Sequence, residues 1–336
     1  MVTFAEFLPP YPNLLWTLCT QMGVTHAVTG LPYPGSRPWD PTAVESIPAG
    51  ERPWEFYPMV HMQQRFADAG LTVDVIEASP PMNAIRLGTA GRDREIEYFQ
   101  TMLRNMGAVG IPVVCWNFMA EFNWQRTSMT TRARGGALVS SNDHVLTLHA
   151  PLTPAGVVSE ERLWENLRYF LERVVPVAEE SGVKLAMHPD DPPLSPIRGI
   201  GRIMRSVENF DRLLDLAPSP NNGITLCQAN FVLMGADVPA TIRHFAGRDA
   251  IHFVHFRDVR GTAEKFAETF HDDGQTDMFA AMRTYLNVGF NGPMRLDHAP
   301  TMEGEDNTTP GYEALGRLFA TGYMTGLREA AEKTQG

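Results

Sequence analysis

Short apolar runs alternate with longer amphipathic ones along most of the chain. The short runs lie at roughly residues 2–7, 25–30, 72–78, 111–118, 183–188, 223–228, 251–257 and 293–298. Unbroken apolar character over so few residues predicts strands covered on both faces. The longer runs predict helices. Glu55 to Ala69 sets Met59, Met62, Phe66 and Ala69 at helical spacing and stops at Gly70. Arg94 to Met106 places Ile96, Phe99, Leu103 and Met106 on one face. Ser159 to Glu180 is the strongest: Ser159 caps it, Glu160 and Glu161 suit its positive end, and Gly182 ends it. Its buried stripe is Leu163, Leu167, Phe170, Leu171, Val174 and Val177. Helices over 14–22, 206–216, 239–245, 278–286 and 312–331 complete the set.

Strands and helices in strict alternation are the signature of parallel βαβ units. Eight such units predict an α/β fold, a single (β/α)8 TIM barrel with long loops over the C-terminal mouth. A doubly wound open sheet is the rival, but no Gly-rich phosphate turn follows the first strand. Two stretches exceed ordinary connections. Residues 31–53, rich in Pro, Gly and Trp, are expected to form a loop over the mouth. Residues 119–158, with Arg126, Arg132, Arg134 and a Gly-Ser portion, are expected to form a lid insertion.

Composition narrows the function classes. A formal charge of −11 with no Lys/Arg run argues against a nucleic-acid partner. No apolar run reaches the length of a bilayer span, so no membrane association is expected. The N-terminus lacks a basic segment and is broken by Pro9, Pro10 and Pro12, unlike a signal peptide. Cys19, Cys115 and Cys227 are too sparse for a disulfide framework and point to a reducing, cytoplasmic setting.

Chemistry gathers where four strands stop. The run Val183-Lys-Leu-Ala-Met ends on His188 and enters a stiff acidic loop, Pro189 to Pro193, containing Asp190 and Asp191. Later runs end on Cys227, His255 and Asp297. Singly, each has a bland explanation: a small core residue, a hydrogen-bonded core imidazole, a turn cap. In a barrel, however, the C-terminal ends of neighbouring strands converge on one mouth. Two imidazoles, a thiolate and a carboxylate there suit a divalent transition metal.

The sequence resembles the mannonate dehydratases of the xylose-isomerase-like barrels over nearly its whole length. The resemblance is carried by Val75-Ile-Glu77-Ala-Ser79-Pro80, Gly110 to Met119, Trp124-Gln-Arg126-Thr127, His188 to Pro193 and Asn222 to Cys227. Val254 to Val259, Asp277-Met278, Asp297-His298 and Gly311-Tyr312 continue it. It implies a homo-oligomeric hydro-lyase of a small sugar acid, D-mannonate to 2-keto-3-deoxy-D-gluconate, in hexuronate catabolism. It implies His188, Cys227, His255 and Asp297 as ligands of Mn2+, with Fe2+ or another divalent transition metal as substitutes. His298 and Tyr312 match the family's acid–base pair, either residue type serving either role. Arg126 matches an arginine of the lid region, able to clamp a carboxylate or to pair with a lid acid such as Glu121. Arg257 suits substrate contact or pairing with Asp258, Asn117 suits substrate binding, and Asp190 and Asp191 are expected to orient His188 or its loop.

The segment Phe270 to Met278 is shorter than the family's usual one, and loops of this kind set specificity on this fold. A dehydratase acting on a different aldonate is one alternative, and two other classes compete: an isomerase or epimerase using the same mouth, and a sugar-acid binding protein without turnover.

Overall fold

The structure, a computed structural model, describes residues 2–33 and 47–334. Eight parallel strands close into a barrel: β1 Thr3–Phe7, β2 His26–Thr29, β3 Thr72–Glu77, β4 Val113–Trp116, β5 Lys184–Met187, β6 Asn222–Cys227, β7 Ile251–Phe256 and β8 Pro293–Leu296. Each pairs with its neighbours in sequence order and β1 closes on β8. All eight apolar runs are therefore barrel strands. Every residue of β4, β6, β7 and β8 is buried, as strands walled on both faces must be.

The barrel interior is filled by Ala5, Val28, Val75, Val113, Cys115, Ala186 and Phe253, so it is a packed core and not a pore. A larger apolar layer lies between strands and surrounding helices. The helix Glu160–Ser181 illustrates how the sequence specifies its ends. Ser159 accepts from Arg162 N at 3.2 Å, and Gly182 terminates it in the left-handed conformation. Close packing dictates Gly223 at the foot of β6, where a Cβ would stand 2.4 Å from His252.

Two features depart from a bare alternation. Short helices Asn83–Leu87, a few residues after β3, and Gln228–Leu233, directly after β6, are added. They are too brief to show a helical stripe in sequence. The stretch 119–158 contains two strands, Ser128–Arg132 and Leu138–Asp143, which pair antiparallel, and Leu138–Asp143 also pairs with Lys265–Glu268, which pairs with Val259–Gly261. A four-stranded sheet thus joins the connection after β4 to the connection after β7. Of the loop expected over 31–53, residues 34–46 lie outside the described residues. No helix among the described residues is long and apolar enough to cross a membrane.

Candidate active site

Strand register brings the site together. Cys227 at the end of β6 pairs directly with His255 near the end of β7, and His255 is in turn the partner of Arg295 on β8. His188 follows β5 immediately and donates its backbone N–H to Trp116 O at 2.7 Å. One ligand-type atom from each of His188, Cys227 and His255 lies within 4.8 Å of the other two. Asp297, the fourth expected ligand, flanks this group, with Oδ2 3.5 Å from His255 Nδ1.

The tautomers follow from the partners. His188 Nδ1 faces Pro189 O at 2.7 Å and must carry a proton, which leaves a lone pair on Nε2. That lone pair faces His255 Nδ1 at 3.2 Å, while His255 Nε2 faces Glu77 Oε1 at 3.4 Å. Burial and Arg295 disfavour charge on His255, but the Glu77 and Asp297 carboxylates outweigh them and raise its pKa to about 10. Burial likewise opposes the Cys227 thiolate. Arg257 and the hydrogen bonds of His188 and His255 prevail and bring it down to about 6. One nitrogen of each imidazole and the Cys227 sulfur thus face a common point. Two imidazole nitrogens and one sulfur, with a flanking carboxylate, fit a borderline divalent ion.

Glu77, Cys115 and His255 form a second group of comparable spacing. It is a poor cation site. Arg295 already donates to both oxygens of Glu77, at 2.8 and 2.7 Å, and burial pushes the Cys115 thiol well above its usual range.

Asp297 is the hub of the outer site. Tyr312, expected to open the last helix, lies two residues before the helix Ala314–Lys333 and donates its phenol to Asp297 Oδ1 at 2.9 Å. Arg295 Nη1 is also 2.9 Å from Oδ1. Burial works against the carboxylate, but His298, Arg295 and His255 hold it ionised well below its usual range. Burial and the Asp297 charge push the Tyr312 phenol well up, so it keeps its proton. His298 adopts a left-handed backbone (φ 49°), uncommon outside glycine and typical of a constrained functional position. Its ring lies 5.3 Å from that of Tyr312 and edge-on to Trp124 at 5.4 Å. Gly311 leaves room for it, since a Cβ there would come within 3.3 Å of His298 Nδ1. Burial drives the His298 pKa down to about 4, giving a neutral imidazole.

The arginines do not sit as expected. Arg126 binds Asp191 through two hydrogen bonds (2.7 and 2.9 Å) and Glu268 through a third (2.7 Å), and its side chain has no accessible surface. The acids that enclose its guanidinium are Asp191 and Glu268, not Glu121. Arg257 is paired with the same two acids, not with Asp258. Its Nη1 also reaches Asp297 Oδ2 at 3.3 Å and Cys227 Sγ at 3.5 Å, so it acts on two of the expected ligands. Asp258 instead closes the short 270–278 segment by accepting from Thr276 N and Oγ1. Asp190 holds Arg202 and Met204 N. Of the two expectations for Asp190 and Asp191, their bonds to Met204, Arg202 and Arg126 hold the loop, while the His188 ring leans on Pro189 O. Asn117 lines the cavity and accepts from Met119 N and Arg86. Sequence reasoning passed over Glu77, Glu268, Arg295 and Arg86. Glu77 ends β3 in the way the expected ligands end their strands, which was the available signal; Arg295 lies within β8 and Glu268 ends a strand of the small sheet.

Above these groups opens a cavity of about 640 Å³, bordered by His188, His255, Asp297, His298 and Tyr312. Fold and site define a (β/α)8 barrel enzyme with its chemistry gathered at the C-terminal mouth. The D-mannonate dehydratase family profile matches residues 16–153 and 142–336. Mannonate dehydratase from Thermotoga maritima is 37% identical over 331 residues, covering 87% of this chain and 90% of that protein. Mannonate dehydratase 2 from Halalkalibacterium halodurans is 37% identical over 305 residues, covering 82% and 88%. The crystal structure of mannonate dehydratase from Streptococcus suis serotype 2 superposes with a TM-score of 0.88 at 32% identity, covering 99% of this chain and 94% of that one. An L-ribulose 3-epimerase shares the fold alone (TM-score 0.59, 14% identity, covering 100% and 97%). The chain belongs to the D-mannonate dehydratase family, whose members are hydro-lyases.

Proposed function

We propose that this chain dehydrates a six-carbon sugar acid, D-mannonate to 2-keto-3-deoxy-D-gluconate, as a step of hexuronate catabolism. The observation that carries the proposal is the convergence of His188, Cys227 and His255 beside the Asp297–Tyr312 pair. These three residues and Asp297 would hold Mn2+, Fe2+ or a similar ion. Such an ion supplies Lewis acidity toward the oxygens of the reacting carbons. The remaining chemistry belongs to the chain. Neutral His298 is suited to accept the proton next to the carboxylate. Tyr312, which holds its proton against Asp297, is suited to deliver it to the departing hydroxyl. Arg257 keeps Cys227 and Asp297 anionic, and Arg295 fixes the Asp297 oxygen on which Tyr312 rests.

Protein stripped of metal and reloaded with Mn2+ should convert D-mannonate to a 2-keto acid, read as its semicarbazone absorbance. Keto-sugar interconversion without loss of water would move the chain to the epimerases of this fold. Binding of aldonates without any turnover would make it a binding protein.

A further inference from the structure

Charge around the mouth is balanced almost everywhere. Arg126 and Arg257 are matched by Asp191 and Glu268, Arg295 by Glu77, and Arg202 by Asp190. A Cys227 thiolate and the Asp297 carboxylate would offset a divalent ion between them. Arg86 is different. It lies on the helix Asn83–Leu87 after β3, is 8% exposed and borders the cavity, yet pairs with no carboxylate among the described residues. Its Nη2 donates to Asn117 O (2.8 Å) and Asn117 Oδ1 (3.0 Å), while its Nε is buried with no partner. The acids that act on it, Glu95 and Asp190, do so without contact: Glu95 accepts from Ile85 N at 3.0 Å, and Asp190 pairs with Arg202 at 3.3 Å. Burial lowers the Arg86 pKa to about 10, which still leaves it charged at neutral pH. An enclosed cation with no counter-ion in contact is costly unless a ligand brings one. Ring order sets β3 and β4 across the barrel from β7 and β8, so Arg86 and Asn117 stand across the mouth from Asp297 and His298.

We propose that Arg86, steadied by Asn117, receives the carboxylate of the substrate and lets the pocket select an acid over a neutral sugar. This rests on the sugar-acid substrate proposed above and gives Arg86 the clamping role expected of Arg126. The test compares binding of D-mannonate and its uncharged amide, D-mannonamide, by calorimetry on metal-free and Mn2+-loaded protein. Arg86→Met should weaken mannonate about 10- to 100-fold, leave the amide nearly unchanged, and raise KM more than it lowers kcat. Arg86→Lys should recover part of the preference, since it keeps the charge and loses the fork.

Equal loss for both ligands with an unchanged melting temperature would overturn the proposal and leave Arg86 as a pin for the Asn117 turn. Survival of the acid preference in Arg86→Met, or a wild-type protein that prefers no acid from a panel of aldonates, would also overturn it. An acid preference that depends on Arg86 in a protein without dehydration would uphold the anion site while rejecting the dehydratase.

Discussion

Tyr312 donates its phenolic proton to Asp297 Oδ1 at 2.9 Å, and Arg295 reaches the same oxygen at 2.9 Å. The phenol is thus held by a carboxylate that is itself fixed by a guanidinium. Tyr312→Phe removes one hydroxyl and leaves the ring that packs on His298 and Phe7. The variant should retain its metal and lose about 100-fold or more in kcat. Steady-state kinetics beside elemental analysis checks this, and undiminished turnover would return Tyr312 to a packing role.

Cys227 is fully buried, so a serine in its place changes donor chemistry more than shape. Cys227→Ser should lower metal affinity by more than about 100-fold, exceeding the usual effect of outer partners, with activity falling in parallel. Circular dichroism should be unchanged. Full metal content in this variant would remove the sulfur from the site.

Arg126 separates a structural prediction from a substrate-binding one. If its task is to hold Asp191 and Glu268, Arg126→Met leaves two buried carboxylates sharing Arg257 alone and should destabilise the protein by about 2–4 kcal/mol. Urea unfolding measures that loss. A rise in KM with unaltered stability would instead restore it as a carboxylate clamp.

His252 gives a pH signature remote from the reacting groups. Its Nδ1 donates to Leu185 O at 2.9 Å, and burial lowers its pKa from 6.5 to about 4. Between those values the unfolded chain binds the extra proton, so stability falls as pH falls through this window. The contribution is fully present above about pH 6.5, and roughly 2 kcal/mol of it is lost by pH 5. Urea unfolding in chelator should show a shallower pH dependence for His252→Gln than for the wild type. Parallel slopes would show that the imidazole titrates in the native state as it does in the unfolded chain.

The barrel was legible because buried parallel strands leave short apolar blocks, and helices such as 160–181 carry caps and a stripe in sequence. The convergence of His188, Cys227 and His255 was legible for a related reason: each terminates one of those blocks, so counting strands already locates it. Partners were not legible. Arg126 and Glu268 are 142 positions apart and meet only because a hairpin and a later strand share a sheet, a pairing between polar, partly exposed segments with no apolar signature. The same limit applies to Arg86, whose meaning depends on the carboxylates it lacks.

The small sheet has an evolutionary and engineering consequence. Because Leu138–Asp143 hydrogen-bonds to Lys265–Glu268, the segments carrying Arg126 and Glu268 are stitched into one fabric. Transplanting either segment alone from a relative would leave an unmatched edge and a broken ion triad beside the mouth. Chimeras meant to alter selectivity should exchange both segments together, and lineages that diversified this region would be expected to have changed them as a pair.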